Sequence, residues 1–197
     1  MRFSRHTLKA TALATIMTAG FMTASVANAA PQKYTIDASH TAVTWHINHF
    51  GFSTPTGKFM NVEGAITLDE ENPENSSVEV TIPIDKINTG VPDLDAHLKK
   101  EDFFNVEKYP TATFVSNKVE LVSDKEAKVH GDLTLHGVTK PVVLDVQLNK
   151  LAENMFKKQT AGFTASTMIK RSDFGITTYL PNLGDEIKIE IESEANL

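Results

Sequence analysis

Val43-Thr44-Trp45-His46-Ile47-Asn48-His49 alternates apolar and polar side chains almost without a break. In an extended chain successive side chains point to opposite faces, so Val43, Trp45, Ile47 and His49 share one face while Thr44, His46 and Asn48 share the other. That two-residue period marks a half-buried strand rather than a helix. The same period recurs outward from this stretch. Within Gly57 to Leu68 it selects Met60, Val62, Ile66 and Leu68, and next come Val78, Val80, Ile82 and Ile84. It continues through Thr113, Val115, Asn117, Val119 and Leu121, then Val129, Gly131, Leu133 and Leu135, and Val142, Leu144, Val146 and Leu148. Ala161, Phe163, Ala165, Thr167 and Ile169, followed by Ile187, Ile189 and Ile191, complete a predicted set of eight strands.

Polar and Gly/Pro clusters separate these runs: Asn72-Pro73-Glu74-Asn75-Ser76, His136-Gly137 and Asn182-Leu183-Gly184 have the length and chemistry of turns. Only Pro92 to Phe104 departs from the period; Leu94 and Leu98 stand four apart, and Asp93 suits an N-cap, which predicts one short helix. No repeat or linker divides the chain after residue 29, so residues 30–197 are expected to form one domain. Eight antiparallel strands in chain order leave two edges that must be paired or covered, and closure into a barrel removes both. The expected fold is therefore all-β, an eight-stranded antiparallel barrel with one short helix; a two-sheet sandwich is the alternative.

The N-terminus reads as a cleavable export signal. Arg2, Arg5 and Lys9 precede an uncharged apolar run of about 17 residues, Ala10 to Val26, and Ala27-Asn28-Ala29 has the small-x-small pattern of a cleavage site. Export to the periplasm is the expectation, with residues 1–29 removed. These residues hold three of the 19 Lys+Arg and none of the 25 Asp+Glu, leaving 16 against 25 and a net charge of −9. An acidic surface of this kind argues against nucleic-acid binding and against long-range attraction to anionic lipid headgroups, though not against a neutral lipid. Cysteine is absent, which removes disulfides, thiol catalysis, iron–sulfur clusters and attached haem.

Seven histidines raise a metal question, but His6 falls in the signal segment, and His40, His46 and His49 are expected on one strand with His46 and His49 on opposite faces. His130 and His136 flank another predicted strand. No zinc spacing, nucleophile elbow, phosphate loop or dinucleotide fingerprint is present, so neither metal, cofactor nor catalytic residue is expected. Nine Phe after residue 29, with Trp45, make the interior rich in apolar bulk, and Gly64, Gly131, Ala161 and Ala165 are small residues on its inward positions. Periodicity alone does not distinguish a filled core from a ligand lining.

Six stretches in one order resemble the YceI-like polyisoprenoid-binding family of periplasmic proteins. They are Asp37-x-x-His40-x-x-Val43-x-Trp45-x-Ile47-x-His49-Phe50-Gly51; Gly57-Lys58-Phe59 leading to Glu63-Gly64; Ile84-Asp85 with Asn88-Thr89-Gly90; His97-Leu98-Lys99 with Asp102 through Phe114; Gly131 through Val142; and Arg171-Ser172-Asp173-Phe174-Gly175-Ile176. One departure stands at the helix, where Leu94 precedes Asp95-Ala96-His97-Leu98 in place of the family's arginine. The resemblance implies a lipocalin-like barrel enclosing a long-chain isoprenoid, a quinone precursor or a similar lipid. On that reading Trp45, Ile47, Met60, Val62, Ile66, Val80, Ile82, Phe114, Leu133, Phe163 and Ile169 line the tunnel. Phe103 and Phe104 cover one end, and His49, Asp95 and His97 meet the ligand's polar head. Transient membrane contact and dimerisation stay open. So do two other functions: an enzyme or redox partner acting on a quinone-like ring, and a filled barrel that binds partners in a stress response.

Overall fold

The computed structural model describes residues 30–197; the segment read as an export signal, residues 1–29, lies outside them. The strands are β1 (Gln32–Ile36), β2 (Ala42–His49), β3 (Thr56–Phe59), β4 (Glu63–Leu68), β5 (Ser77–Pro83), β6 (Ile87–Asn88), β7 (Thr111–Leu121), β8 (Glu126–Leu135), β9 (Val138–Glu153), β10 (Gln159–Lys170) and β11 (Leu183–Asn196), with one helix, α1 (Pro92–Leu98). All pair antiparallel in one sheet, and β1 bonds both β4 and β11, which closes the ring.

Three strands of the barrel are broken in two. β1 and β2 both run along β11, β4 and β3 run along β1 and β2, and β5 and β6 run along β4 and β3. Counted as continuous courses they give, with β7 to β11, the eight-stranded closed barrel expected. Each break has a local cause. Between β1 and β2, Asp37 accepts from Ser39 N (3.0 Å) and Ser39 Oγ (2.6 Å), fixing a turn. Between β3 and β4, Asn61 takes a left-handed φ of 58°. A 3₁₀ turn at Ile84–Lys86 separates β5 from β6.

The two ends of the barrel differ. The turns 69–76, 122–125 and 154–158 meet at one end, here the hairpin end. At the other, α1 and the segment 99–110 pack with residues 171–182 over a cluster of Phe59, Ile84, Ile87, Leu98, Phe103, Ile176 and Leu183. Arg171 pins this helix end. Its guanidinium, 5% exposed, donates to Gly184 O (2.8 Å), Ile176 O (3.0 Å) and Leu183 O (3.0 Å). Burial pushes its pKa below the ordinary arginine value, opposed by the nearby Asp185 charge. Asp185 in turn accepts from Ser172 N and Oγ (2.9 and 2.8 Å).

Several local expectations need correction. α1 carries Pro92 in its first turn and no side-chain N-cap, so Asp93 does not cap it, and the helix ends at Leu98 with Leu94 exposed. In β7 a bulge between Ser116 and Lys118 switches the inward face from Ala112 and Phe114 to Val119 and Leu121; Val115 and Asn117 face out. β3 buries Gly57 and Phe59, and the break at Asn61 resets the parity before Val62. His40 lies in the β1–β2 turn rather than on a strand, His130 inside β8, and Leu183 and Gly184 already belong to β11.

Candidate functional site

The barrel encloses a cavity of about 390 Å³ that opens at the hairpin end. Its wall is aliphatic and aromatic, built by the inward positions of almost every strand: Ile36, Val43, Phe59, Val62, Ile66, Val80, Ile82, Phe114, Val119, Leu133, Val142, Val146, Ala165, Ile169, Ile189 and Ile191 among them. The strand period puts these side chains inside because burying each removes apolar area from water, at roughly 25 cal/mol per Å². Thr41 and Ser193 are polar members of the wall, and their hydroxyls lie 3.2 Å apart, so each satisfies the other. Charged lining residues are confined to the rim: Glu70, Asp124, Lys125 and Glu126. Tyr34, fully buried beside that rim, donates its phenol to Glu70 Oε1 (3.2 Å); burial, then Glu70's charge, holds its pKa above the usual value.

Of the residues expected in the tunnel wall, Val62, Ile66, Val80, Ile82, Phe114, Leu133, Phe163 and Ile169 line the cavity. Trp45 and Ile47 face inward but lie below it, in the packed helix end. The Trp45 indole covers Gly57, its register partner: a Cβ there would stand 2.3 Å from Cζ2. Trp45 Nε1 is buried without a hydrogen-bond partner. Met60 does not line the cavity, since the β3–β4 break gives that place to Phe59. Phe103 and Phe104 do seal one end; Phe104 meets Phe59 edge-to-face at 5.4 Å.

The three residues expected at a ligand head do not reach the mouth. His49 is exposed and stacks edge-on against Phe50 at 4.7 Å. His97 packs on Phe103 at 5.0 Å and lies 3.9 Å from Asp102. Asp95 Oδ1 accepts from Thr89 N (2.7 Å) and Thr89 Oγ1 (2.6 Å), which ties α1 to β6. All three sit at the sealed helix end, opposite the opening. The polar residues at the mouth, Glu70, Ser76, Asp124 and Lys125, went unread because they fall in turns; antiparallel order alone puts the 69–76 and 122–125 turns at one end and could have found them. Ile36 was missed with its short strand.

The small inward residues are not all free space. Gly131 accommodates the Phe114 ring, Ala161 is fully buried against the core, and Gly64 takes a φ of 139° and approaches Glu79 O. Ala165 alone of the four lines the cavity. Elsewhere, Asp37, His40 and Glu194 bring ligand-type atoms within 4.8 Å of one another on the outer surface. His40 Nδ1 donates there to Asp37 Oδ2 at 2.9 Å, which accounts for the pair as a turn lock.

An antiparallel eight-stranded barrel closed around an apolar cavity, with the charged lining residues among those described confined to its rim, defines a lipocalin-like β-barrel. Residues 34–195 match the YceI-like domain, and the chain belongs to the YceI-like family. It is 39% identical over 187 residues to a UPF0312 protein of Photorhabdus laumondii, covering 95% of this chain and 97% of that one. The Campylobacter jejuni YceI protein superposes with a TM-score of 0.69 at 36% identity, covering 74% of this chain and 86% of the other. A polyisoprenoid binding domain from Saccharophagus degradans shares the fold at TM-score 0.64 and 17% identity, over 83% of this chain and 97% of that domain.

Proposed function

We propose that this chain is an exported, periplasmic binding or carrier protein for a long apolar lipid, an isoprenoid or quinone precursor, held inside the barrel. The observation that carries the reading is the cavity itself: about 390 Å³ of aliphatic wall with charge only at the rim. Its volume falls within the roughly 300–1,000 Å³ of small-molecule sites. The Saccharophagus degradans domain of the same fold is a polyisoprenoid binding domain, which supports the ligand class. The sequence pattern of residues 1–29 supports export.

Size sets the mode of binding. A dry cavity of about 150 Å³ holds one benzene. A space of about 390 Å³ therefore scales to roughly 15 carbons, or three isoprene units. At about 0.8 kcal/mol per buried carbon, that is roughly 12 kcal/mol gross, from which at least about 4 kcal/mol of association cost is subtracted. Affinity reaches at most about the micromolar range without a specific polar contact. A longer chain leaves its remaining units and its head at the rim, beside Glu70, Ser76 and Lys125. A binding role is favoured over catalysis because the wall presents alkyl groups where a reaction needs a nucleophile or an acid–base pair.

Trp45 is the single tryptophan and lies just below the cavity, so it reports loading directly. Titration with farnesol is expected to change its emission saturably at one ligand per chain. Native mass spectrometry of protein isolated from its own host is expected to show a bound lipid. No retained lipid, together with no response to farnesol, refutes the reading. Turnover of a quinone analogue that disappears in His49→Ala would favour an enzyme instead.

A further inference from the structure

Two hairpin tips at the open end of the barrel carry apolar side chains into water. In the β7–β8 turn, Val122 is 59% exposed and follows Leu121, which also lines the cavity. In the β9–β10 turn, Met155 is 86% and Phe156 77% exposed, four and five residues beyond Leu151, the last wall residue of β9. The second turn is ordered by its own hydrogen bonds. Asn154 N donates to Lys158 O (2.8 Å), and Asn154 Oδ1 accepts from Phe156 N (2.8 Å) and Lys158 N (3.2 Å). A fixed turn thus holds two large apolar side chains outward, with Lys157 and Lys158 directly behind them.

Single exposed apolar residues are ordinary. Four on two tips of one rim, continuous with an apolar cavity, are an amphipathic surface: Lys157, which also lies 3.5 Å from Glu153, and Lys158 follow the larger pair, and Asp124, Lys125 and Glu126 follow the smaller. We propose that the hairpin end docks on a lipid bilayer, with Met155 and Phe156 entering the headgroup boundary and Lys157 and Lys158 meeting lipid phosphates, so that the mouth opens onto the lipid it takes up. Phe and Met gain by leaving water at that boundary, while long lysine stems keep their charge at the phosphate level. The inference rests on the lipid-binding reading above. Exposed apolar residues also stand at the helix end, Phe52 among them, but Phe59, Phe103 and Phe104 seal the barrel there and leave no passage.

The test is flotation of the purified protein with vesicles of phosphatidylethanolamine and phosphatidylglycerol, alongside Trp45 emission with farnesol dispersed in buffer or dissolved in the vesicles. M155S/F156S is expected to weaken vesicle association about tenfold or more and to slow uptake from vesicles, while still binding dispersed farnesol. F52S is expected to behave as wild type. K157E/K158E is expected to lose association with these vesicles and to lose less of it on vesicles of phosphatidylcholine alone, where net anionic repulsion is absent; it reads the same surface if M155S/F156S fails to fold. Unaltered flotation of M155S/F156S, or an equal loss in F52S, overturns docking at this end. A wild-type dimer dissolved by M155S/F156S with flotation unaltered assigns the tips to a second copy and overturns it too. Failure of the wild type to bind dispersed farnesol overturns the lipid reading itself.

Discussion

The ring of Phe114 occupies the space that a side chain at position 131 would need: a Cβ on Gly131 would lie 2.5 Å from Phe114 Cζ and 2.5 Å from Val115 O. The two strands pair here, with Phe114 opposite Leu133 and Ser116 opposite Gly131. Gly131 is therefore a packing partner of the wall, not a vacancy in it.

Gly131→Ala follows from that contact. Replacing glycine gains about 0.4–1 kcal/mol from a stiffer unfolded chain where the backbone allows it. Overpacking costs about 1–3 kcal/mol, and one of the two obstructing atoms is a backbone carbonyl that cannot swing away. The clash wins. A lower urea midpoint is expected for Gly131→Ala, with partial recovery in the double variant that also carries Phe114→Leu.

Arg171 supports a second prediction. Its guanidinium serves three buried carbonyls, so Arg171→Leu leaves all three without a donor, whereas the arginine's own desolvation cost disappears. Each buried acceptor left unsatisfied costs about 1–3 kcal/mol, and three orphaned carbonyls outweigh the relief. Arg171→Lys is expected to recover only part of this, because an ammonium cannot span the fork. Equilibrium unfolding by urea measures both.

Much of the barrel was legible in the sequence, and the places where it was not share a cause. β8 to β11 run long between their turns, so one period describes most of each, and Val129, Leu144, Ala165 and Ile189 all face in as the alternation requires; a bulge in β9 past Leu148 moves the inward face to Leu151. In β7 a single bulge inverts the parity midway, and no side chain announces it. At Asn61 a positive φ does the same for Met60 and Phe59. β1 offers only Tyr34 and Ile36 as apolar residues, too few to display a period.

The polar end of the site is a separate matter. Sequence order shows that His49, Asp95 and His97 lie near the helix, but which end of a barrel is open depends on how side chains fill it. Phe59, Phe103, Phe104 and Leu183 fill the helix end, and Asp95's carboxylate is already engaged by Thr89. That outcome is three-dimensional packing, to which a two-residue period is blind.

Asp37 and His40 yield a pH prediction. The Ser39 hydroxyl first, then His40, hold the Asp37 carboxyl well below its ordinary pKa, and Asp37 raises that of His40. A lowered carboxylate contributes stability above its unfolded pKa of about 3.9, lost as pH falls toward its folded value. A raised histidine contributes stability below its unfolded pKa of about 6.5, lost as pH rises through its folded value. The pair therefore contributes most between about pH 4 and 6.5. Both groups face solvent, so the effect is small and weakened by salt. Asp37→Asn is expected to flatten both limbs of the stability–pH curve, and His40→Gln to flatten the alkaline limb while leaving much of the acid one, since Ser39 still bonds Asp37.

Ala165 decides how much chain the cavity holds. It lines the wall from β10, opposite Val146 and Ile191 in the sheet, with its methyl group directed into the open space. Ala165→Phe adds a ring to that space without touching the mouth, the helix end or any hydrogen bond. Displacing even four or five ligand carbons forfeits roughly 3–4 kcal/mol of burial, which is two to three orders of magnitude in affinity. The ring fills existing volume, so stability is expected to hold or rise, unlike an overpacked core. The expected pair of results is unchanged or higher resistance to urea with farnesol binding weakened at least a hundredfold by Trp45 emission. Undiminished binding in a folded Ala165→Phe protein would place the ligand outside the barrel and remove the cavity from the argument.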